Sequence, residues 1–282
     1  MHILIFQGSP GDGQRSIGDN GGRTNEALFD EALRSQDAAV TTFTLNVVDG
    51  EKLPQGMALS DFDGVVITGS PLSTYDDVPG VRAQIDLARE VFEAGIPSFG
   101  SCWGLQLMSA ALGGTVRLNP KGREIGIART IVLNDAGRDH PMYRDKPLAF
   151  SAFCSHQDEV SVLPEGAVVL ASNTVSDVQA AEITRGDKSF WGVQYHPEFD
   201  FDMIAMLIEK RAKRHISEGL ARTPDEVATI VADFRALKAD PTRTDLIWRY
   251  GLEADTLNSD IRRVEFANWL ATKVKPYAGS KA

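Results

Sequence analysis

Cysteine, positive charge and long apolar runs are all scarce in this chain, and each shortage removes a class of explanation. Only Cys102 and Cys154 occur in 282 residues, too few for a disulfide framework. The opening MHILIFQGSP lacks a basic segment and reads directly into a strand, so no export signal is expected. A reduced, cytoplasmic pair follows, with one thiol free for chemistry. Lysine and arginine number 29 against 39 aspartates and glutamates, a formal charge of −10. A surface built to neutralise phosphates is thereby disfavoured, and neither nucleic acid nor an anionic membrane is an expected partner. No stretch approaches about 18 uninterrupted apolar residues, so no bilayer span is expected. No Cys/His cluster with ligand spacing is present either, and neither a metal nor a cofactor is expected.

What remains is ordinary globular composition, 43% hydrophobic and 24% charged, enough for a sizeable core. From residue 2 to about 200, short apolar runs alternate with helical patterns. Residues 3–6, 40–45, 65–68 and 97–100 read as strands, and 24–35 and 80–94 have helical apolar spacing. The strands are continuously apolar, which predicts a parallel sheet buried on both faces and built from βαβ units. After Gly113 and Gly114 the pattern changes to strands at 115–118, 125–133, 167–172, 178–183 and 190–194. These read as mixed or antiparallel additions to the sheet. Residues 8–22, rich in Gly and Asp, read as a long mobile loop at the sheet's carboxyl edge. From about residue 201 the chain is largely helical, over 204–216, 224–237 and 257–274. This tail reads as an extension packed on the same domain, stabilising it and open to covering a site edge or forming a homodimer.

The most informative stretch is Pro97-Ser98-Phe99-Gly100-Ser101-Cys102-Trp103-Gly104-Leu105-Gln106. An apolar strand enters it and a helix leaves it, ending at Gly113. Gly-x-Cys-x-Gly at such a junction is the thiol counterpart of the Gly-x-Ser-x-Gly nucleophile elbow. The turn is sharp, and side chains at its glycines would collide with the strand and helix. Its centre is thrust out at the carboxyl edge of the sheet, where open α/β folds bind ligands. The free N–H groups and positive potential of the helix start favour a thiolate and an oxyanion there. The Trp103 N–H is placed to be one oxyanion donor. A lone cysteine is more often an inert core residue, the reading given to Cys154.

A thiol nucleophile needs a base, and the base needs a group to hold its tautomer. Of five histidines, His2, His140 and His215 read as surface or packing residues, and His156, in Ser-His-Gln-Asp-Glu-Val, as intermediate. His196 is the strongest, in Trp191-Gly192-Val193-Gln194-Tyr195-His196-Pro197-Glu198-Phe199. A short strand ends there, Pro197 fixes the turn, and Glu198 falls on the same side of an extended segment. His-x-Glu alone is common; beside the elbow, each supplies what the other lacks.

Gly-Ser-Cys-Trp-Gly-Leu-Gln, Glu-Ile-Gly, His-Gln-Asp-Glu-Val and Gly-Val-Gln-Tyr-His-Pro-Glu-Phe together resemble class I glutamine amidotransferases over residues 60–200. The version is similar to the stand-alone GMP synthase-like group that includes γ-glutamyl peptidases. The resemblance implies a flavodoxin-like α/β three-layer sandwich with a mostly parallel central sheet over 1–200, and a helical extension over 201–282. It implies a catalytic triad of Cys102, His196 and Glu198, and an oxyanion loop at 67–71 with Ser70 where a second glycine is usual. Gly69, Gln106, Glu124 and His156 match substrate-binding positions, and Asp158 a nearby loop; for Glu124 the plain alternative is a strand-edge charge. Ser101 and Trp103 depart from the small or aliphatic residues frequent there, which bears on the pocket's shape.

The expected reaction is hydrolysis of the γ-carboxamide of glutamine through a Cys102 thioester, with ammonia released. The chain lacks the Gly-x-x-x-x-Gly-Lys-Ser/Thr phosphate loop and a second domain large enough for a synthase. A separate synthase partner, or a γ-glutamyl peptidase acting on small-molecule γ-glutamyl compounds, therefore both stay open. From other classes come a catalytically silent binding module, which intact Cys102, His196 and Glu198 weigh against, and a different cysteine hydrolase.

Overall fold

The structure, a computed structural model, describes residues 1–19 and 22–281. The first part alternates β1 (His2–Phe6), α1 (Gly11–Asp19), α2 (Asn25–Gln36), β2 (Thr41–Leu45), β3 (Gly64–Ile67), α3 (Pro79–Glu93), β4 (Ser98–Ser101) and α4 (Trp103–Ala111). Next come β5 (Thr115–Leu118), β6 (Glu124–Leu133), α5 (Asp135–Asp139), β7 (Ala149–His156), β8 (Asp158–Val162), β9 (Ala167–Ser172), β10 (Ala180–Arg185) and β11 (Lys188–Val193). The remainder is helical: α6 (Phe201–Lys210), α7 (Ala212–Ser217), α8 (Pro224–Ala239), α9 (Thr244–Tyr250), α10 (Ala254–Leu257), α11 (Ser259–Arg262), α12 (Val264–Trp269) and α13 (Lys275–Ser280).

One sheet runs β2-β1-β3-β4-β11-β10-β9-β6-β7. It is parallel from β2 through β11 and continues antiparallel through the added strands. The alternation of β1 explains the layers. Ile3 and Ile5 join one apolar cluster with Phe29 of α2, and Leu4 and Phe6 join another with Val91 of α3 and Leu105 of α4. Burying each such side chain stabilises by about 1.5–3 kcal/mol, so a strand apolar at every position belongs between two helical layers. The flavodoxin-like sandwich expected from the sequence is the fold observed. Its parallel strands all end at one edge, delivering Gly8, Thr68, Cys102 and Gln194 to the same place. Among the described residues no helix is long and apolar enough to cross a membrane.

Three local expectations need correction. Residues 11–19, read as loop, form α1. Its glycines weaken the helix, but Gln14 and Ile17 are buried, and Gln14 accepts the Asn25 N–H at 2.8 Å. Tertiary anchoring thus overrides propensity; residues 20 and 21 of that stretch lie outside the described residues. The helix read over 204–216 breaks at Arg211 (φ −111°, ψ 21°). The helix read over 257–274 is interrupted at Asn258, whose side chain caps a new turn by accepting the Asp260 N–H at 2.8 Å, and again at Arg263, before a π turn at Leu270–Val274. The strands β7 and β8 were not foreseen.

Phe266, Trp269, Leu270 and Val274 lie in the same apolar cluster as Phe29 and Phe99. Glu265, fully buried, receives the Tyr195 hydroxyl at 2.6 Å and pairs with Lys146 at 2.9 Å. The C-terminal helices are therefore tied to the segment that carries His196.

Candidate active site

The site begins where β4 turns into α4. Cys102 sits between them at φ 53°, ψ −101°, a sparsely populated conformation costing about 1–3 kcal/mol for a residue with a Cβ. Its N–H donates to the Val193 carbonyl at 2.7 Å, locking the turn to β11. The flanking glycines are required by space. A Cβ on Gly104 would stand 2.6 Å from the Ile67 carbonyl oxygen, and one on Gly100 would stand 2.6 Å from the Gly104 carbonyl carbon. Cys102 is left 5% exposed, with the first turn of α4 behind it.

His196 arrives from the end of β11. Its N–H donates to the Phe153 carbonyl at 2.8 Å, and its ring stacks on Phe199 with centroids 3.8 Å apart and planes 1° from parallel. Nδ1 meets Glu198 Oε1 at 2.7 Å, which leaves Nε2 for the cleft that Cys102 and His196 line together. Glu198 is itself held, its Oε2 accepting the Ser101 hydroxyl at 3.0 Å. Burial pulls the imidazole pKa down, but the Glu198 carboxylate and the neighbouring Cys102 outweigh it and push the value up to about 10. At neutral pH the ring carries a proton.

The loop after β3 forms the opposite wall. The Gly69 carbonyl accepts from Ser9 Oγ and Asn25 Nδ2, both at 2.9 Å. In a trans peptide the following N–H points the other way, so these two side chains fix the direction of the Ser70 N–H. A Cβ on Gly69 would come within 2.9 Å of His196 Cε1; only glycine lets the loop lie this close to the ring.

Cys102, His196, Gly69, Ser70, Gln106 and His156 line one cleft of about 290 Å³. The Gln106 amide donates to the Asp158 carbonyl and to Gln194 Oε1, both at 3.1 Å. His156 has both ring nitrogens engaged, Nδ1 with the Asp158 carbonyl at 3.1 Å and Nε2 with Glu124 at 2.9 Å, so it is a fixed wall. Glu124 reaches the cleft only through His156, and also accepts from Gln179 at 2.8 Å. Trp103, fully buried, sends its indole N–H to Gln84 Oε1 at 3.0 Å. The Asp158 carboxylate ties down the loop after Ser70 through the hydroxyls of Ser73 at 2.7 Å and Tyr75 at 3.1 Å. Cys154 is fully buried, and burial, then Glu124 and Cys102, raise its thiol well above the usual range. Both cysteines are free. Among the described residues no group of three or more His, Cys, Asp or Glu could hold a metal ion.

Sequence reasoning passed over Ser101, Asn25 and Arg211 as site residues. A serine and an asparagine carry no local hint of what they will touch. Arg211 lies in a basic run, Lys210-Arg211-Ala212-Lys213-Arg214, that was visible but had no link to the elbow before folding.

Residues 17–205 match the glutamine amidotransferase class-I family. The chain is 33% identical to a γ-glutamyl-L-1-hydroxyisopropylamide hydrolase of a Pseudomonas species, over 100% of this chain and 96% of that protein. A GMP synthase [glutamine-hydrolyzing] from Exiguobacterium sibiricum is 39% identical over 50% of this chain, which spans only 25% of the synthase. The fold is that of a Thermotoga maritima glutamine amidotransferase crystal structure, with a TM-score of 0.66 at 18% identity, covering 97% of this chain and 98% of that one. This chain belongs to the class I glutamine amidotransferase family.

Proposed function

We propose that the protein hydrolyses a γ-glutamyl amide through a thioester on Cys102, with His196 and Glu198 completing a catalytic triad. The observation that carries this is the buried chain of hydrogen bonds from Ser101 through Glu198 to His196, which lines one cleft with a thiol at a strained elbow. Cys102 attacks the δ-carbonyl as thiolate while its proton resides on His196. The carbon–nitrogen bond breaks as His196 protonates the departing nitrogen, and His196 then takes a proton from the water that cleaves the thioester. The Ser70 and Trp103 N–H groups hold the oxyanion, each such donor contributing about 2.7–4 kcal/mol to the acyl-transfer barrier. Gly69 and Gln106 shape the pocket, and Glu124 acts on it by fixing His156.

Two substrates fit this chemistry, glutamine itself and a γ-glutamyl compound with a substituted nitrogen. The second is favoured by likeness along the whole chain, including the tail over 201–282, to a γ-glutamyl amide hydrolase. Likeness to the GMP synthases covers about half of the chain. On this reading residues 1–200 are the amidotransferase-like unit, the tail is an extension packed on it, no synthase partner is needed, and the enzyme works in the cytoplasm. Ammonia release from glutamine, compared with amine release from γ-glutamyl amides by the isolated protein, tests it. Faster turnover of substituted amides supports the hydrolase, and turnover of glutamine alone points to an ammonia donor. Unchanged hydrolysis by Cys102→Ala contradicts both.

A further inference from the structure

The cleft over Cys102 has a charge that the rest of the molecule does not. The chain is net −10, yet Arg123, Lys210, Arg211 and Arg214 all line this cleft, and Asp158 is its one acidic lining residue among those described. Arg123 is neutralised by Glu218 at 2.8 Å. Arg211 is different. It stands half-buried at the break between α6 and α7, and its Nη1 donates to the Ser155 hydroxyl at 3.2 Å. Among the described residues no carboxylate lies within 4.0 Å of its guanidinium. Burial, and then repulsion from Arg123 and Arg214, lower its pKa, with Cys102 and Glu218 acting the other way. A guanidinium desolvated beside two others and given only a neutral hydroxyl is one that an incoming anion relieves.

Its position says which anion. Ser155 links the two centres: its carbonyl oxygen lies 4.0 Å from Cys102 Sγ, and its hydroxyl holds Arg211. The guanidinium and the attacking sulfur thus line one cleft with a single residue touching both, and a glutamyl group carries its amide and its amino-acid head on one short carbon chain. Asp158 supplies the opposite charge on the same cleft.

We propose that Arg211 binds the α-carboxylate of the γ-glutamyl group, so that the helical tail contributes a specificity-determining residue to the site. This rests on the hydrolase reading above. Arg214 strengthens the local positive field, and Asp158 supplies the cleft's negative charge for the α-ammonium. The hydroxyl of Ser155 keeps the guanidinium oriented.

The test uses full-length wild type, Arg211→Gln and Arg211→Lys on three substrates. These are γ-glutamylethylamide, its analogue with the α-carboxylate converted to carboxamide, and γ-glutamylglycine, which adds a carboxylate on the departing amine. Arg211→Gln is expected to raise KM for γ-glutamylethylamide by about tenfold to a hundredfold, the usual effect of losing a charged hydrogen bond. Its kcat should change little, Arg211→Lys should recover part of the loss, and the carboxamide analogue should not distinguish wild type from variant. An unchanged KM overturns the assignment, as does a loss confined to γ-glutamylglycine, which would move Arg211 to the leaving-group side. A second readout does not depend on turnover. Alkylation of Cys102 by iodoacetate relative to iodoacetamide should be faster in wild type and fall in Arg211→Gln. If no amide is hydrolysed but that ratio still depends on Arg211, the hydrolase reading fails and the anion site stands. If hydrolysis is intact and neither KM nor the ratio responds, the anion site alone fails.

Discussion

At the scale of single residues, His196 does the deciding. Its pKa stands at about 10 in the folded protein, against about 6.5 in an unfolded chain. As pH rises, the unfolded chain gives up this proton first, so the native state binds more protons across the interval between those values. Stability from this group is fully present below about pH 6.5 and is lost as pH climbs toward 10. Urea unfolding across that range should show the decline, and His196→Gln should flatten it; a decline of equal slope in the variant would count against the assignment. Glu198→Gln keeps the size but removes the charge that holds the imidazolium and its tautomer. A fall in kcat on the order of 10⁴-fold is expected. Ser101→Ala removes only a hydroxyl from Glu198 Oε2, and about a tenfold fall is expected. Steady-state kinetics on a γ-glutamyl amide check both, and an order of effects reversed between them would contradict the chain of contacts. Much of this was legible beforehand, because Gly-Ser-Cys-Trp-Gly and His-Pro-Glu are short-range patterns whose geometry the local backbone dictates. Ser101, Asn25 and Arg211 were not, because their partners lie far away along the chain.

At the scale of elements, the elbow depends on how closely α4 approaches β3. Gly104→Ala would push a methyl to 2.6 Å from the Ile67 carbonyl oxygen, and overpacking of this kind costs about 1–3 kcal/mol. Equilibrium denaturation should show that loss; a variant as stable as wild type would mean the helix shifts freely. The same reasoning explains which elements the sequence revealed. β1 and β3 were readable because burial on both faces leaves no polar side chain over residues 3–6 and 64–67. β7 was hidden because serines interrupt its apolar residues, and α1 because its glycines weaken the helix that Gln14 and Ile17 anchor. The breaks at Arg211 and Asn258 were hidden because apolar periodicity continues across them.

At the scale of the whole molecule, a buried ion pair helps fasten the tail beside the segment that carries His196. Lys146 and Glu265 meet at 2.9 Å with side chains 1% and 0% exposed, and Glu265 also holds the hydroxyl of Tyr195, the neighbour of His196. Removing one partner leaves a buried charge uncompensated, so Glu265→Ala is expected to lose about 3–5 kcal/mol of stability. Lys146→Met combined with Glu265→Leu should recover much of it, and urea midpoints check the pair; a harmless single variant would show that the pair does not hold the tail. The expectation of an extension packed on the same domain came from apolar residues at three- and four-residue steps. Its fastening through an ion pair and a tyrosine could not be read from spacing, since each partner lies in a separate part of the chain.

The central claim is a covalent one, and intact-mass measurement reaches it directly. Wild-type protein mixed with a γ-glutamyl amide and quenched in acid within the first turnover should carry the mass of one glutamyl group, mapped to the peptide containing Cys102. The Cys102→Ala protein should carry none. Rapid hydrolysis with no adduct on Cys102, or an adduct that persists in Cys102→Ala, would contradict the mechanism.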